Sequence, residues 1–287
     1  MQVIKKEDIK DIYYLSPMQE GMLFHHLLEP ESSAYLEQFV IRIQSHLDPD
    51  LLQKSFEMLI DRYDIFRTAF IYEKVKRPIQ TVLKKRPGKI FYSEIGHLTE
   101  SEQNEWIENF KTADQKKNYD LTKDVLMRIS VFKKGKDDYI LCWNFHHILM
   151  DGWCMTIIMR EFIQIYLSLA SGESLSLGTV YPYSQYIAWI EKQDKEAAAG
   201  YWKSYLKGYT ESAGIPEDGG IRGLNGYDQG NVFLNLDEGI ARKMEQAAAL
   251  YHVTVNTLFQ TIWGLLIQKY NNIIVIINLI CRPLLII

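Results

Sequence analysis

Apolar and polar positions along the chain alternate between a period of two and a period of three to four, as expected for strands interleaved with helices. The run Tyr139-Ile-Leu-Cys-Trp-Asn-Phe-His146 is apolar, aromatic and β-branched and predicts a buried strand. After Trp153, Met155, Ile158, Met159, Phe162, Ile165 and Tyr166 recur three and four apart and predict a helix. A short loop joins the two. Upstream, Ser16-Pro17 is a helix start, a cap residue followed by a first-turn proline, with Glu20 in the first turn. Residues 35–43 alternate as a strand, and Asp48-Pro-Asp50 caps a helix through Leu51, Leu52, Phe56, Leu59 and Ile60. Residues 79–83 and 90–92 are strands around the Arg86-Pro-Gly88 turn, and a helix follows through Trp106, Ile107 and Phe110. The stretch from Asp120 leads into a further strand, which Gly135-Lys-Asp-Asp138 turns back as a hairpin into the histidine strand. The order of elements predicts an α/β layered lobe.

The pattern changes at residues 170–179, where Ala-Ser-Gly-Glu-Ser-Leu-Ser-Leu-Gly-Thr is small and polar and predicts a crossover between lobes. The lobes expected are therefore residues 1–175 and 176–287. In the second, Tyr186, Trp189, Trp202 and Tyr205 are expected to pack their helices onto a core. Residues 230–236 read as a strand, Asp237 as the cap of a helix through Ile240 and Met244, and Thr254 as the start of an amphipathic helix. Residues 273–287 are almost wholly apolar, yet too short and interrupted to span a bilayer, which takes about 20 apolar residues.

The length of 287 residues suits two lobes, and 47% hydrophobic with 24% charged residues is ordinary for a globular protein. A net charge of -4 gives no electrostatic reason to expect nucleic acid. Cys142, Cys154 and Cys281 are scattered without metal-type spacing, which suggests a reducing compartment. The N-terminal residues lack an apolar signal core. The expectation is a cytoplasmic protein without membrane association.

Candidate chemistry concentrates in His146-His147-Ile-Leu-Met-Asp151-Gly152. Successive strand side chains point to opposite faces, so one histidine faces a cleft while its neighbour packs. A neutral imidazole with a pKa near ~6.5 suits proton collection from a nucleophile. Asp151 has three possible jobs: orienting His147, ligating a metal, or pairing with a distant arginine. Gly152 permits an unusual backbone conformation or a close approach by another segment.

This segment resembles the His-His-x-x-x-Asp-Gly signature of the condensation domains of nonribosomal peptide synthetases. Its shorter part is similar to the wider chloramphenicol-acetyltransferase-like superfamily. Leu15-Ser-Pro-Met-Gln-Glu-Gly-Met-Leu-Phe-His25 is similar to the opening motif of the same domains, in which His25 and His26 have no chemical role and are taken as surface or packing residues. Asp61-Arg62-Tyr63-Asp64-Ile-Phe-Arg67-Thr-Ala-Phe70 resembles the family's Arg-His-Glu-x-Leu-Arg-Thr-x-Phe motif, with Tyr63, Asp64 and Phe66 in place of His, Glu and Leu. Tyr183-Ser-Gln185-Tyr186-Ile-Ala-Trp189 resembles a fourth motif, with Gln185 in place of Asp.

The resemblance implies a two-lobed fold, with the first lobe complete and the second truncated, since Arg282-Pro283 is the last family feature and the motifs beyond it do not appear. It implies transfer of a donor acyl or peptidyl thioester onto the amine of an acceptor aminoacyl thioester. Both would be presented on phosphopantetheine arms by upstream and downstream carrier domains beside an adenylation domain. His147 is the candidate to take the amine's proton or hold the amine, and the Gly152 N–H to polarise the carbonyl, with His146 structural. Arg62 is expected to pair with Asp151, and Arg67 to support the same lobe. No metal or diffusible cofactor is called for. Two alternatives accompany this reading: an inactive truncated or frameshifted remnant, and a coenzyme A-dependent acyltransferase.

Overall fold

The computed structural model describes residues 5–30, 32–209, 214–215 and 232–271. The apolar tail at 273–287 lies outside them. The chain divides into two compact units, Met1–Gln193 and Asp194–Ile287.

Unit one opens with β1 (Ile9–Tyr14) and α1 (Pro17–Leu28). Ser16 caps α1 by a reciprocal box: its hydroxyl accepts from the Gln19 N–H, and the Gln19 side chain accepts from the Ser16 N–H. β2 (Leu36–Ile43) and α2 (Pro49–Arg62) follow, and Asp48 caps α2 through the N–H groups of Asp50 and Leu51. β3 (Thr68–Ile71), β4 (Ile79–Leu83), β5 (Phe91–Glu94), α3 (Glu100–Gln115), β6 (Met127–Lys133), β7 (Tyr139–His146), α4 (Gly152–Ser171) and α5 (Tyr183–Ile190) complete it.

Two sheets result. One has the order β1-β4-β3 and is antiparallel; the other has the order β2-β7-β6-β5, with only β5 and β6 parallel. β6 and β7 form the expected hairpin, and β2 pairs with β7 along its whole length, from Leu36 opposite His146 to Ile43 opposite Tyr139. The histidine strand is thus held on both edges. One face of β7 sends Tyr139, Leu141, Trp143 and Phe145 into a core shared with α2 and α4, built on Phe56, Leu59, Ile60, Phe162 and Ile165. Trp143 meets Phe56 and Phe162 edge-on. The other face packs Cys142 with Phe132, Ile95 and Ile107 under α3. Gly88 sits where a Cβ would lie 2.4 Å from Ile60 and 2.7 Å from Phe56, so only glycine lets this loop close over the core.

Residues 176–193 pack with the first unit rather than the second. Leu175 and Leu177 lie against the main core, and α5 inserts buried Ile187. The small polar stretch at 170–179 is therefore a surface strap within unit one, and the two compact units divide at Gln193. Unit two contains α6 (Lys195–Tyr205), α7 (Glu238–Leu250), capped by Asp237, and α8 (Val255–Asn271). Residues 232–236 form no strand; their alternation has no pairing partner among the described residues. Tyr186, Trp189 and Trp202 are exposed, and Tyr205 is half-buried, contrary to the expected core packing. Their rings stack within their own helices instead, Tyr186 on Trp189 and Tyr201 on Tyr205. Among the described residues no helix is long and apolar enough to cross a membrane.

Candidate active site

β7 ends at His146, and residues 147–150 form the turn that leads into α4. The turn is fixed by the backbone. The His146 N–H donates to the Leu126 carbonyl (3.0 Å), the His147 N–H to the Tyr35 carbonyl (2.8 Å), and the Leu149 N–H to the His146 carbonyl (3.1 Å). The His146 side chain contributes too: its Nδ1 accepts from the Ile148 N–H at 3.1 Å. That bond requires an unprotonated Nδ1.

His146 is buried among the rings of His26, Tyr35 and Tyr119. Burial, reinforced by neighbouring His26 and His147, pushes its pKa down to about 3. It is a neutral structural prop at any physiological pH. His26 likewise titrates below its ordinary value because it is partly buried. His147, one residue on, is half-buried, and its Nδ1 is enclosed without a hydrogen-bond partner among the described residues.

Asp151 has a job outside the three weighed above. It is the N-cap of α4, its Oδ1 accepting from the Cys154 N–H at 2.9 Å. That bond, foremost, holds its carboxyl below the usual range, with His147 a lesser contributor. The expected Arg62–Asp151 pair is absent. Arg62 instead makes a forked bond to Glu161, Nε to Oε2 at 2.8 Å and the second nitrogen to Oε1 at 3.2 Å, and Tyr63 donates to the same carboxylate at 2.7 Å. Glu161 lies ten residues further along the same helix, roughly 15 Å along its axis. The Gly178 carbonyl also accepts from Arg62, so this arginine fastens the strap to α2 and α4. Arg67 is buried, pairs with Asp64 at 2.6 Å, and donates to the Ile60 and Asp61 carbonyls at the end of α2 and to the Leu83 carbonyl. Gly152 needs neither unusual freedom: a Cβ there would meet nothing within 4 Å, and its φ is not positive. It is the first residue of α4, whose first-turn N–H groups lack carbonyl partners within the helix.

The structure thus gathers His146, His147, Asp151 and Gly152 at one turn and leaves both arginines in the scaffold. His26, expected as a surface or packing residue, packs on His146. The structure also shows residues that sequence reasoning passed over: Tyr35 and Tyr119 around His146, and Gln19 against the turn. Only Gln19 carried a local signal, its place three residues after the capping Ser16.

The family model for the condensation domain matches residues 9–277. The chain belongs to the condensation-domain family. It is 44% identical over 272 residues to gramicidin S synthase 2 of Brevibacillus brevis, covering 95% of this chain and 6% of that protein. It is 41% identical over 270 residues to surfactin synthase subunit 3 of Bacillus subtilis, covering 94% of this chain and 21% of that one. The chain therefore spans a small part of the curated relatives it matches. Among solved condensation domains, the first condensation domain of the CDA synthetase superposes with a TM-score of 0.70 at 14% identity, over 92% of this chain and 63% of that one. The starter condensation domain of rhizomide synthetase RzmA gives 0.62 at 19% identity, over 68% and 50%. The fold is that of the condensation domains, a mixed α/β fold of the chloramphenicol-acetyltransferase-like kind.

Proposed function

We propose that this chain serves as the amide-bond-forming condensation domain of a nonribosomal peptide synthetase. The acceptor's α-amine attacks the donor thioester carbonyl; a C–N bond forms, the C–S bond breaks, and the amine's proton ends on the departing thiol. His147 takes that proton or holds the amine, and the Gly152 N–H polarises the carbonyl. His146, Asp151, Arg62 and Arg67 support the turn and its lobe. If holding dominates, effective concentration supplies most of the acceleration. The observation that carries this reading is the half-buried His147 imidazole with an unpaired Nδ1, on a turn fixed by bonds from the His146, His147, Ile148 and Leu149 N–H groups.

Donor and acceptor would arrive on phosphopantetheine arms of upstream and downstream carrier domains, next to an adenylation domain. The domain would hold no cofactor of its own and would work in the cytoplasm. The test is made in the complete synthetase, with the donor offered on its carrier domain or on coenzyme A. Amide formation only from the carrier-bound donor is expected. Equal rates from coenzyme A would overturn it in favour of a coenzyme A-dependent acyltransferase.

A further inference from the structure

The opening motif contributes a residue that reaches the histidine turn. Gln19, on the first turn of α1, is buried, and all of its amide is in use. Its Oε1 accepts from the Ser16 N–H at 3.0 Å and from Nε2 of buried Gln80 on β4 at 2.8 Å. Gln80 in turn donates to the Tyr14 carbonyl at the end of β1. The Gln19 Nε2 donates to the Ile148 carbonyl, 3.1 Å away. That carbonyl is the one next to His147 in the chain. The residue is too remote in sequence, 129 positions away, for this bond to be local packing.

The peptide groups flanking Ile148 are therefore clamped from two sides. His146 Nδ1 holds the Ile148 N–H, which belongs to the His147–Ile148 peptide, and Gln19 holds the Ile148 carbonyl. Backbone bonds at the His147 and Leu149 N–H groups fix the remaining ends. With its backbone fixed, His147 has only its side-chain torsions left to set. A small displacement of a reacting group has a disproportionate effect on rate, because chemistry demands near-attack distances.

We infer that Gln19 is a positioning residue for condensation: through the Ile148 carbonyl it holds the turn at which His147 meets the acceptor amine. This rests on the function proposed above and gives the opening motif a role in rate as well as in helix capping. A glutamine used only as a cap would need its Oε1 alone. Here the Nε2 reaches the turn as well as the Gln80 Oε1, and no other side chain among the described residues donates to the Ile148 carbonyl.

The experiment measures single-turnover amide formation in the complete synthetase against acceptor-carrier concentration, alongside thermal melting. Gln19→Met keeps the side chain's length and loses the donor. Its limiting rate is expected to fall at least tenfold, with half-saturation changed by less than twofold. Gln80→Met is the control: it loses the Tyr14 and Gln19 bonds but leaves the bond to Ile148, and it should melt lower while keeping a rate within threefold of wild type. A Gln19→Met rate within twofold of wild type overturns the inference, and so does a Gln80→Met variant that loses as much rate as Gln19→Met. If Gln19→Met does not fold, Gln19→Glu decides by the same criteria, since its carboxylate keeps the acceptor contacts and cannot donate to Ile148 when ionised. His147→Ala, run in parallel, separates the two claims. A wild-type rate there defeats the proposed function, whereas its loss beside an unaffected Gln19→Met defeats only the role of Gln19.

Discussion

At the scale of single residues, the two adjacent histidines differ because strand geometry divides them. His146 follows the strand into a ring-lined pocket and is neutral by burial; His147 starts the turn and keeps a free nitrogen. This division has a measurable consequence. The folded pKa of His146, about 3, lies below the unfolded value near ~6.5, so the unfolded chain binds the proton first. The stabilising contribution is complete above about pH 6.5 and declines as pH falls towards the folded value. Between pH 6.5 and 5, chemical denaturation should lose about 2 kcal/mol, at roughly 1.4 kcal/mol per pH unit. A flat stability profile over that window would show that His146 is not held neutral. Asp151 is tested by its replacements. Asp151→Asn retains a capping oxygen and should melt within a degree or two of wild type, whereas Asp151→Ala should cost about 1 kcal/mol. Equal losses from both would mean that the charge, not the cap, is what α4 needs.

At the scale of elements, the capping chemistry was legible in the chain and the long-range partners were not. Ser16, Asp48 and Asp237 cap the helices their positions predicted, because a cap involves only neighbours along the chain. Strands with buried residues, β4, β6 and β7, were equally readable, and so was the alternation of β2, none of whose residues is fully buried. β1 was not: Ile9-Lys-Asp-Ile-Tyr-Tyr carries charges within a six-residue run and becomes a strand through its pairing with β4. β3 was hidden for the same reason, its four residues paired with β4 behind a motif read for its arginines. Arg62 shows the limit most clearly. Asp151 and Glu161 stand on one helix, and only packing of α2 against α4 decides that Glu161 faces Arg62. Removing the arginine leaves a mostly buried carboxylate with only the Tyr63 hydroxyl to pair it, so Arg62→Ala should cost about 2–3 kcal/mol, discounted for partial exposure. Asp151 variants should leave that loss unchanged, and a double-mutant cycle between Arg62 and Asp151 showing strong coupling would contradict the assignment. Gly88→Ala tests the core from another side. A Cβ there overlaps Ile60 and Phe56, and a loss of about 1–3 kcal/mol is expected on denaturation.

At the scale of the whole molecule, the described chain is a well-packed first unit that carries the candidate site, and a second unit of helices whose aromatics lie largely on the surface. Composition marks the polar strap at 170–179 but not what the strap is tied to, here the Arg62–Gly178 bond and the contacts of the partly buried Leu175 and Leu177. The site itself was legible as a motif. Its supporting set was not, since His26, Tyr35, Tyr119 and Gln19 come from separate places in the chain and meet only in the fold. The central claim, that His147 is the reacting group of an amide-forming domain, is tested most directly by His147→Ala in the complete synthetase. Amide formation between loaded carrier domains should fall at least ~100-fold, in the range removed with a general acid–base group, while the melting temperature holds. Amide made at the wild-type rate by a folded His147→Ala variant would contradict it.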